Sequence, residues 1–295
     1  MRHTRRRAMA VLIALAGILT VTTLPVEALT LQRTWTAAMG GGANGVVTLY
    51  GYTNGTGSIQ YNLTGLKPGA RYTAEIRYGT CARLGVVAAK TGWLRATGFG
   101  TAVRGLGVTY EQMYYIWKAA RTPTFAIRVL SGTSIKCGGF TFPTATRVWV
   151  SGLGIDLPVI RGPSGYPPCK VAMYLAEIAQ PREPGITYIF SHARTGMFLP
   201  LLTSWRNNKG ASLIGRQVKV WTSDSYVSTY SINKVHTVPA NSMAGAGTLT
   251  VERLWLQTST GPNFTYPKLI VEAVRTSTVK TTYAASHPTP HPVRC

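Results

Sequence analysis

Leu254-Trp255-Leu256-Gln257-Thr258-Ser259, followed further along by Lys268-Leu269-Ile270-Val271-Glu272-Ala273, is the stretch on which the reading of this chain turns. Both runs are short, apolar and rich in aromatic or β-branched residues, the pattern of strands that pack into a core. A serine hydroxyl closes the first run and a lysine ammonium opens the second. Upstream, Thr187-Tyr188-Ile189-Phe190 is a third strand-like run, and it ends in Ser191-His192-Ala193-Arg194.

Further strand-like runs surround this core: Arg147-Val148-Trp149-Val150, Ile155-Asp156-Leu157-Pro158-Val159-Ile160, Gln217-Val218-Lys219-Val220-Trp221 and Thr229-Tyr230-Ser231-Ile232. Val171, Tyr174, Leu175 and Ile178 recur at three and four, which predicts a short helix after Pro167-Pro168. Residues 276–295 mix threonine with His-Pro repeats and read as a disordered tail. Residues 141–146 hold a proline between two blocks of strands, and a domain boundary is expected there. Before it, Val46-Val47-Thr48-Leu49-Tyr50, Ser58-Ile59-Gln60-Tyr61-Asn62-Leu63, Tyr72-Thr73-Ala74-Glu75-Ile76-Arg77 and Phe125-Ala126-Ile127-Arg128-Val129 are strands at sandwich spacing. Leu66-Lys67-Pro68-Gly69 has the chemistry of a type II turn. The expected fold class is all-β: a β-sandwich over residues 31–142, then a second β domain over 147–275 with one or two short helices.

The chain has 295 residues, 31 of them Lys or Arg against 9 Asp or Glu, for a formal charge of +22. With 45% hydrophobic and 14% charged residues it has ample material for cores, which excludes a mainly disordered basic protein. Its basic residues are scattered singly, as Arg71, Arg77, Arg83, Arg95 and Arg104, which argues against nucleic acid as a partner. Anionic wall polymers or lipid head groups fit better. Arg2, Arg5, Arg6 and Arg7 precede an apolar run, and Val26-Glu27-Ala28 offers a cleavage site, so residues 1–28 read as a signal peptide. Cleavage is the favoured outcome; a segment kept as an N-terminal anchor would be the only membrane attachment. Its removal leaves 27 basic and 8 acidic residues, or +19. The protein is therefore expected outside the cell, secreted or at its surface.

An exported chain can oxidise its four cysteines. Cys81 and Cys137 each follow a strand and are expected to pair, leaving Cys169 and Cys295 for each other or free. No CxxC pair and no local Cys/His cluster exists, so no metal and no cofactor is expected.

Four motifs in order resemble the sortase family, most closely its class E and F members: Gly154-Ile155-Asp156-Leu157-Pro158-Val159, Ser191-His192-Ala193-Arg194 with Met197-Phe198-Leu199-Pro200-Leu201-Leu202, Leu256-Gln257-Thr258-Ser259, and Lys268-Leu269-Ile270-Val271-Glu272-Ala273. The resemblance spans Arg147 to Arg275. It implies a closed β-barrel fold and the activity of an exported transpeptidase that cuts a sorting signal and joins the carried protein to the cell envelope, so the implied partners are a sorting-signal peptide or a cell-wall polymer. His192 falls on the family's histidine. Ser259 falls where the family's Leu-x-Thr-Cys has its cysteine, and Lys268 where its arginine is expected. A serine hydroxyl is hardly ionised at neutral pH and needs an adjacent base, whereas a lysine keeps the charge but loses the guanidinium fork. The favoured expectation is a catalytically degenerate binding protein. The alternatives are an active transpeptidase or hydrolase using His192 with Ser259, and a nucleophile displaced to Cys169, which also reads as a structural cysteine.

The first block resembles the superoxide-dismutase-like and chordin-repeat sandwiches through Leu63-Thr64-Gly65-Leu66-Lys67-Pro68-Gly69-Ala70-Arg71-Tyr72, Gly79-Thr80-Cys81 and Cys137-Gly138. No histidine lies between His3 and His192, so the dismutase metals have no imidazoles to hold them. Trp35, Trp93, Trp117, Tyr110, Tyr114 and Tyr115 are core residues or a binding surface. Asp156, Asp224 and His236 read as turn or strand-edge residues, His287 and His291 as solvated, and Arg194 and Arg275 as cations of unfixed position.

Overall fold

The computed structural model describes residues 31–120, 124–162, 167–176, 178–240, 251–262 and 265–295; the expected signal peptide at 1–28 lies outside them. The first eight strands are β1 (Leu31–Ala38), β2 (Asn44–Tyr52), β3 (Gly57–Thr64), β4 (Arg71–Thr80), β5 (Arg83–Arg95), β6 (Ala102–Val108), β7 (Phe125–Ser131) and β8 (Ser134–Thr141), with helix α1 (Tyr110–Ala120) before β7. Strict alternation builds them. β3 buries Ile59, Tyr61 and Leu63 and exposes Gln60, Asn62 and Thr64. The strands form one sheet in the order β5-β4-β7-β8-β1-β2-β3-β6, curled so that its two halves face each other. The halves are joined by the short β1–β8 pairing, Thr36 to Thr141 and Ala37 to Phe140, with the Gly40–Cys137 bridge beside it. Trp35, Leu49, Ile59 and Tyr61 from one half and Tyr72, Ile76, Leu94 and Ile127 from the other share one core.

α1 begins with a capping box: the Gln112 amide donates to Thr109 Oγ1 and the Gln112 side chain accepts from the Thr109 amide. The helix buries Met113, Ile116, Ala119 and Ala120. The aromatics therefore sort by face. Trp35 is fully buried with Trp117 edge-on at 4.7 Å, whereas Tyr110, Tyr114 and Tyr115 are exposed. Cys81 and Cys137 form a disulfide, as expected.

The second half comprises β9 (Ala145–Val150), β10 (Ile155–Arg161), β11 (Ala172–Tyr174), β12 (Ile186–Phe190), helix α2 (Leu199–Asn208), a 3₁₀ turn (Ala211–Leu213), β13 (Gln217–Thr222), β14 (Tyr226–Val238), β15 (Arg253–Ser259), β16 (Lys268–Lys280) and α3 (Tyr283–Ser286). Eight of its strands close into a barrel in the order β10-β11-β12-β15-β16-β14-β13-β9. The fold class is thus all-β, with three short α-helices among the described residues.

Two expectations are corrected. Among the described residues no helix lies between Val171 and Ile178; residues 171–174 are continuously buried and 172–174 form strand β11. A run buried on both faces carries no usable period, so a three-and-four spacing there was accidental. The tail is not disordered either. β16 runs on through Lys280 in register with β14, α3 follows, and a Cys169–Cys295 disulfide together with a Cys169–Val293 bridge ties the end of the chain to the barrel. A covalent tether overrides a composition that otherwise reads as solvated.

The halves meet at Arg33. It is 3% exposed, its Nε and Nη2 donate to the Glu183 carboxylate at 2.9 Å each, and its Nη1 and Nη2 donate to the carbonyls of Ala176 and Ile178. No helix among the described residues is long and apolar enough to cross a membrane.

Candidate functional site

The site is set by a parallel pair in a barrel whose strands are mostly antiparallel. β12 and β15 run side by side from Ile186–Arg253 to Phe190–Gln257. Past the end of β12 the chain stays alongside: the Ser191 amide donates to the Gln257 carbonyl at 3.1 Å, and Thr258 Oγ1 donates to the Ser191 carbonyl at 2.9 Å. His192 is the next residue on one side and Ser259 on the other. Across the antiparallel β15–β16 pair, Ser259 is directly opposite Lys268. Alternation along β15 buries Leu256 and Thr258 and turns Gln257 and Ser259 toward a cavity of about 710 Å³.

His192, Ser259 and Lys268 all line that cavity, together with Phe190, Leu202, Arg194, Arg206 and Tyr266. Among the described lining residues no carboxylate appears, so the chamber is cationic over an apolar floor. Within it the polar atoms are engaged by main chain. His192 Nε2 lies 2.6 Å from the Pro167 carbonyl. A carbonyl only accepts, so Nε2 carries a proton and donates it there. Ser259 Oγ donates to the Gly261 carbonyl at 2.6 Å. The hydroxyl proton therefore points to its own loop and not to the imidazole.

The Pro167 carbonyl, Arg206, Gln257 and Tyr266 were not anticipated. Arg206 comes from α2, which has no side-chain cap and only Pro200 in its first turn to mark its start. A main-chain carbonyl leaves no residue type to read. A second cavity, of about 760 Å³, lies across the 193–199 segment and is lined by Asp156, Pro158, Lys170 and Met197; it shares Ala193, Arg194 and Leu199 with the first and holds none of the three candidates.

Other singled-out residues sit elsewhere. Cys169 is in its disulfide and offers no thiol, which removes it as a displaced nucleophile. Arg275 pairs with Glu252, Asp156 with Arg147 and Asp224 with Arg182. His236 lies 3.5 Å from Glu272 with its pKa lowered, chiefly by burial and also by the charge of Lys234. His287 stacks on Tyr283 at 3.7 Å.

No family model and no curated protein matches the chain. Among solved structures it is similar to sortase A of Listeria monocytogenes, with 17% identity over 46% of this chain and 89% of that one and a TM-score of 0.37. It is also similar to sortase C of Streptococcus pneumoniae, with 18% identity, 45% and 68% coverage and a TM-score of 0.37. The pilus-related sortase C of Group B Streptococcus gives 17% identity, 45% and 68% coverage and a TM-score of 0.37.

Proposed function

We propose that this chain is an exported, sortase-like binding protein that holds a sorting-signal peptide or a wall polymer in the 710 Å³ cavity without cleaving it, the residues 31–142 acting as an accessory domain to the barrel of 147–275. The observation that carries this reading is the engagement of the hydroxyl: the single proton of Ser259 is donated to Gly261, so no base stands ready to take it. The order of the four sequence motifs supports the sortase-like part, and serine and lysine at the nucleophile and oxyanion positions support the degenerate part. The cationic walls at Arg194, Arg206 and Lys268 suit a ligand bearing carboxylate or phosphate groups.

A second reading, a serine transpeptidase or hydrolase, is favoured by one feature. The Pro167 carbonyl supplies the orienting partner that a catalytic imidazole needs. A serine-directed phosphonate probe separates the two. No labelling of the native chain, with peptide binding that is lost on Ser259→Trp, is the expected result. Labelling that vanishes in both Ser259→Ala and His192→Ala would overturn it in favour of the enzyme.

A further inference from the structure

We infer that the end of the curled sheet farthest from the barrel is a docking surface for an anionic lipid bilayer, with Phe99 as the inserted side chain and Lys67, Arg71, Arg95 and Arg104 as the headgroup contacts. Phe99 is 95% exposed at the tip of the loop joining β5 to β6. The loop is held rigid: the Thr97 amide donates to the Thr101 carbonyl, the Gly100 amide to the Thr97 carbonyl, and the two threonine hydroxyls meet at 2.8 Å. It is also fastened to the 66–70 turn by the amides of Leu66 and Gly69, which donate to Gly100 and Thr97. Gly100 is required at that junction, since its φ is +72° and an added Cβ would lie 2.4 Å from the Leu66 carbonyl oxygen. A rigid turn thus presents one large apolar side chain that nothing among the described residues covers.

The surroundings add apolar surface and unneutralised charge. Val46, Asn62 and Val103 stand in one cross-strand row, with Val103 80% exposed. Around the rim, Arg71 lies directly opposite Arg95. Like charges in that position oppose pairing. Arg104 reaches from β6 to donate to the Trp93 carbonyl at 2.8 Å, and the guanidiniums of Arg71 and Arg104 approach the Trp93 ring from the strands on either side at 4.4 and 4.3 Å. None of Lys67, Arg71, Arg95 or Arg104 meets a carboxylate among the described residues. Residues 31–141 contain only two acids, Glu75 and Glu111, and Glu75 is held by Arg77 and Arg128. The repulsion at this rim is left for an anionic partner to relieve.

The choice of partner follows from the apolar component. A soluble polyanion would leave Phe99 and Val103 in water, whereas an interface with anionic headgroups takes the ring below them and the guanidiniums among them. Nucleic acid would call for a row of open aromatic faces for successive bases, whereas at this end, among the described residues, Phe99 is a single exposed ring and Trp93 is flanked by guanidiniums. The surface is also free of the barrel. β1 runs from Arg33, at the contact with Glu183, to Ala38 opposite Val46, a span of about 17 Å.

Flotation of the full chain with phosphatidylglycerol/phosphatidylcholine vesicles tests this, reading the excess of binding over pure phosphatidylcholine in each variant against the parent, since the basic N-terminal segment contributes equally to both. Phe99→Ser should lower that excess about tenfold. The pair Arg71→Gln with Arg95→Gln should lower it at least as much, and more than the charge-matched control Lys118→Gln with Lys280→Gln. As a second measurement on the unaltered chain, amides of residues 97–101 should gain hydrogen-exchange protection with anionic vesicles only. Unchanged binding by Phe99→Ser, an equal loss in the control, or binding to free polyphosphate with no protection of the loop by vesicles would each overturn the proposal. None of these residues lines the barrel cavity, so that reading stands or falls separately.

Discussion

Arg33 and the Arg71–Arg95–Arg104 group are the same residue type put to opposite uses. Arg33 is buried between the two halves, its guanidinium donors met by Glu183 and two carbonyls, with the ring of Phe142 4.6 Å below. The sheet-end arginines are exposed or half-exposed and face one another with no acid. In a chain with so few carboxylates, where each one goes decides which cations are structural and which are left to meet a partner. Glu183 makes Arg33 structural. Removing one member of a buried pair strands the other charge, whereas removing a member of the exposed group relieves repulsion.

The largest expected effect is therefore at Arg33. Arg33→Met should cost about 3–5 kcal/mol of unfolding free energy by urea titration, and adding Glu183→Leu should recover most of it. Arg71→Gln should stay within about 0.5 kcal/mol of the parent. Glu183 also sets a pH signature. Burial raises its carboxyl pKa despite Arg33. Without Arg33 the pKa rises further, so the variant loses stability as pH rises through that value and the gap to the parent narrows in acid. Equal costs for Arg33→Met and Arg71→Gln would erase the distinction.

The two disulfides sharpen the comparison at the next level. Each should contribute about 2–4 kcal/mol, Cys169–Cys295 closing 126 residues against 56 for Cys81–Cys137. Their local consequences differ. Cys169 lies two residues past Pro167, whose carbonyl holds His192, so Cys169→Ser with Cys295→Ser should shift the His192 imidazole resonances. Cys81→Ser with Cys137→Ser should leave them unmoved. Identical imidazole spectra in both double variants would detach the site from the tail.

The ease of reading these regions in sequence also differs. β2, β3 and the first half of β4 alternate cleanly, because one face is core and the other solvent. β5 does not, since Val86 and Val87 are exposed and its pairing with β4 shifts register at three places. In the barrel, β11 is buried on both faces and imitated a helix. At the site, His192, Ser259 and Lys268 were legible only through the motifs that resemble the sortases, and the pairings of β12, β15 and β16 bring them to one cavity. What orients them was not legible: the carbonyls of Pro167 and Gly261 belong to the backbone, and Arg206 arrives on a helix without a cap signal.

Ser259→Cys probes that geometry with a smaller free energy. A thiol opposite Lys268 and near His192 should ionise about one unit below an ordinary cysteine, roughly 1.4 kcal/mol, read as faster reaction with a disulfide reagent at neutral pH. An ordinary thiol pKa would mean that the lysine and the imidazole do not act on position 259, and the cavity would lose its claim to be a sortase-like site.

The smallest expected effect separates the halves by pH. Residues 31–142 contain no histidine, whereas the barrel holds His236 on β14. Three elements face that ring: Lys234 on its own strand, Glu272 on β16 at 3.5 Å, and the Trp255 indole edge-on from β15. Glu272 favours the protonated ring, but burial outweighs it and Lys234 adds to burial, so the folded pKa is lowered. The sign follows directly. Near and below the ordinary histidine value of about 6.5 the unfolded chain takes up a proton that the folded chain resists, so this contribution is whole above that pH and declines as pH falls through the lowered value. Hydrogen exchange between pH 7.5 and 5 should then show β14 amides losing protection in acid while β3 amides keep theirs, and His236→Gln should flatten the β14 response. The site is a quarter exposed, so the change is modest, and it is the pattern that matters. If β3 and β14 lose protection together, the Arg33–Glu183 contact couples the halves into one unfolding unit, and a single buried arginine governs the stability of both.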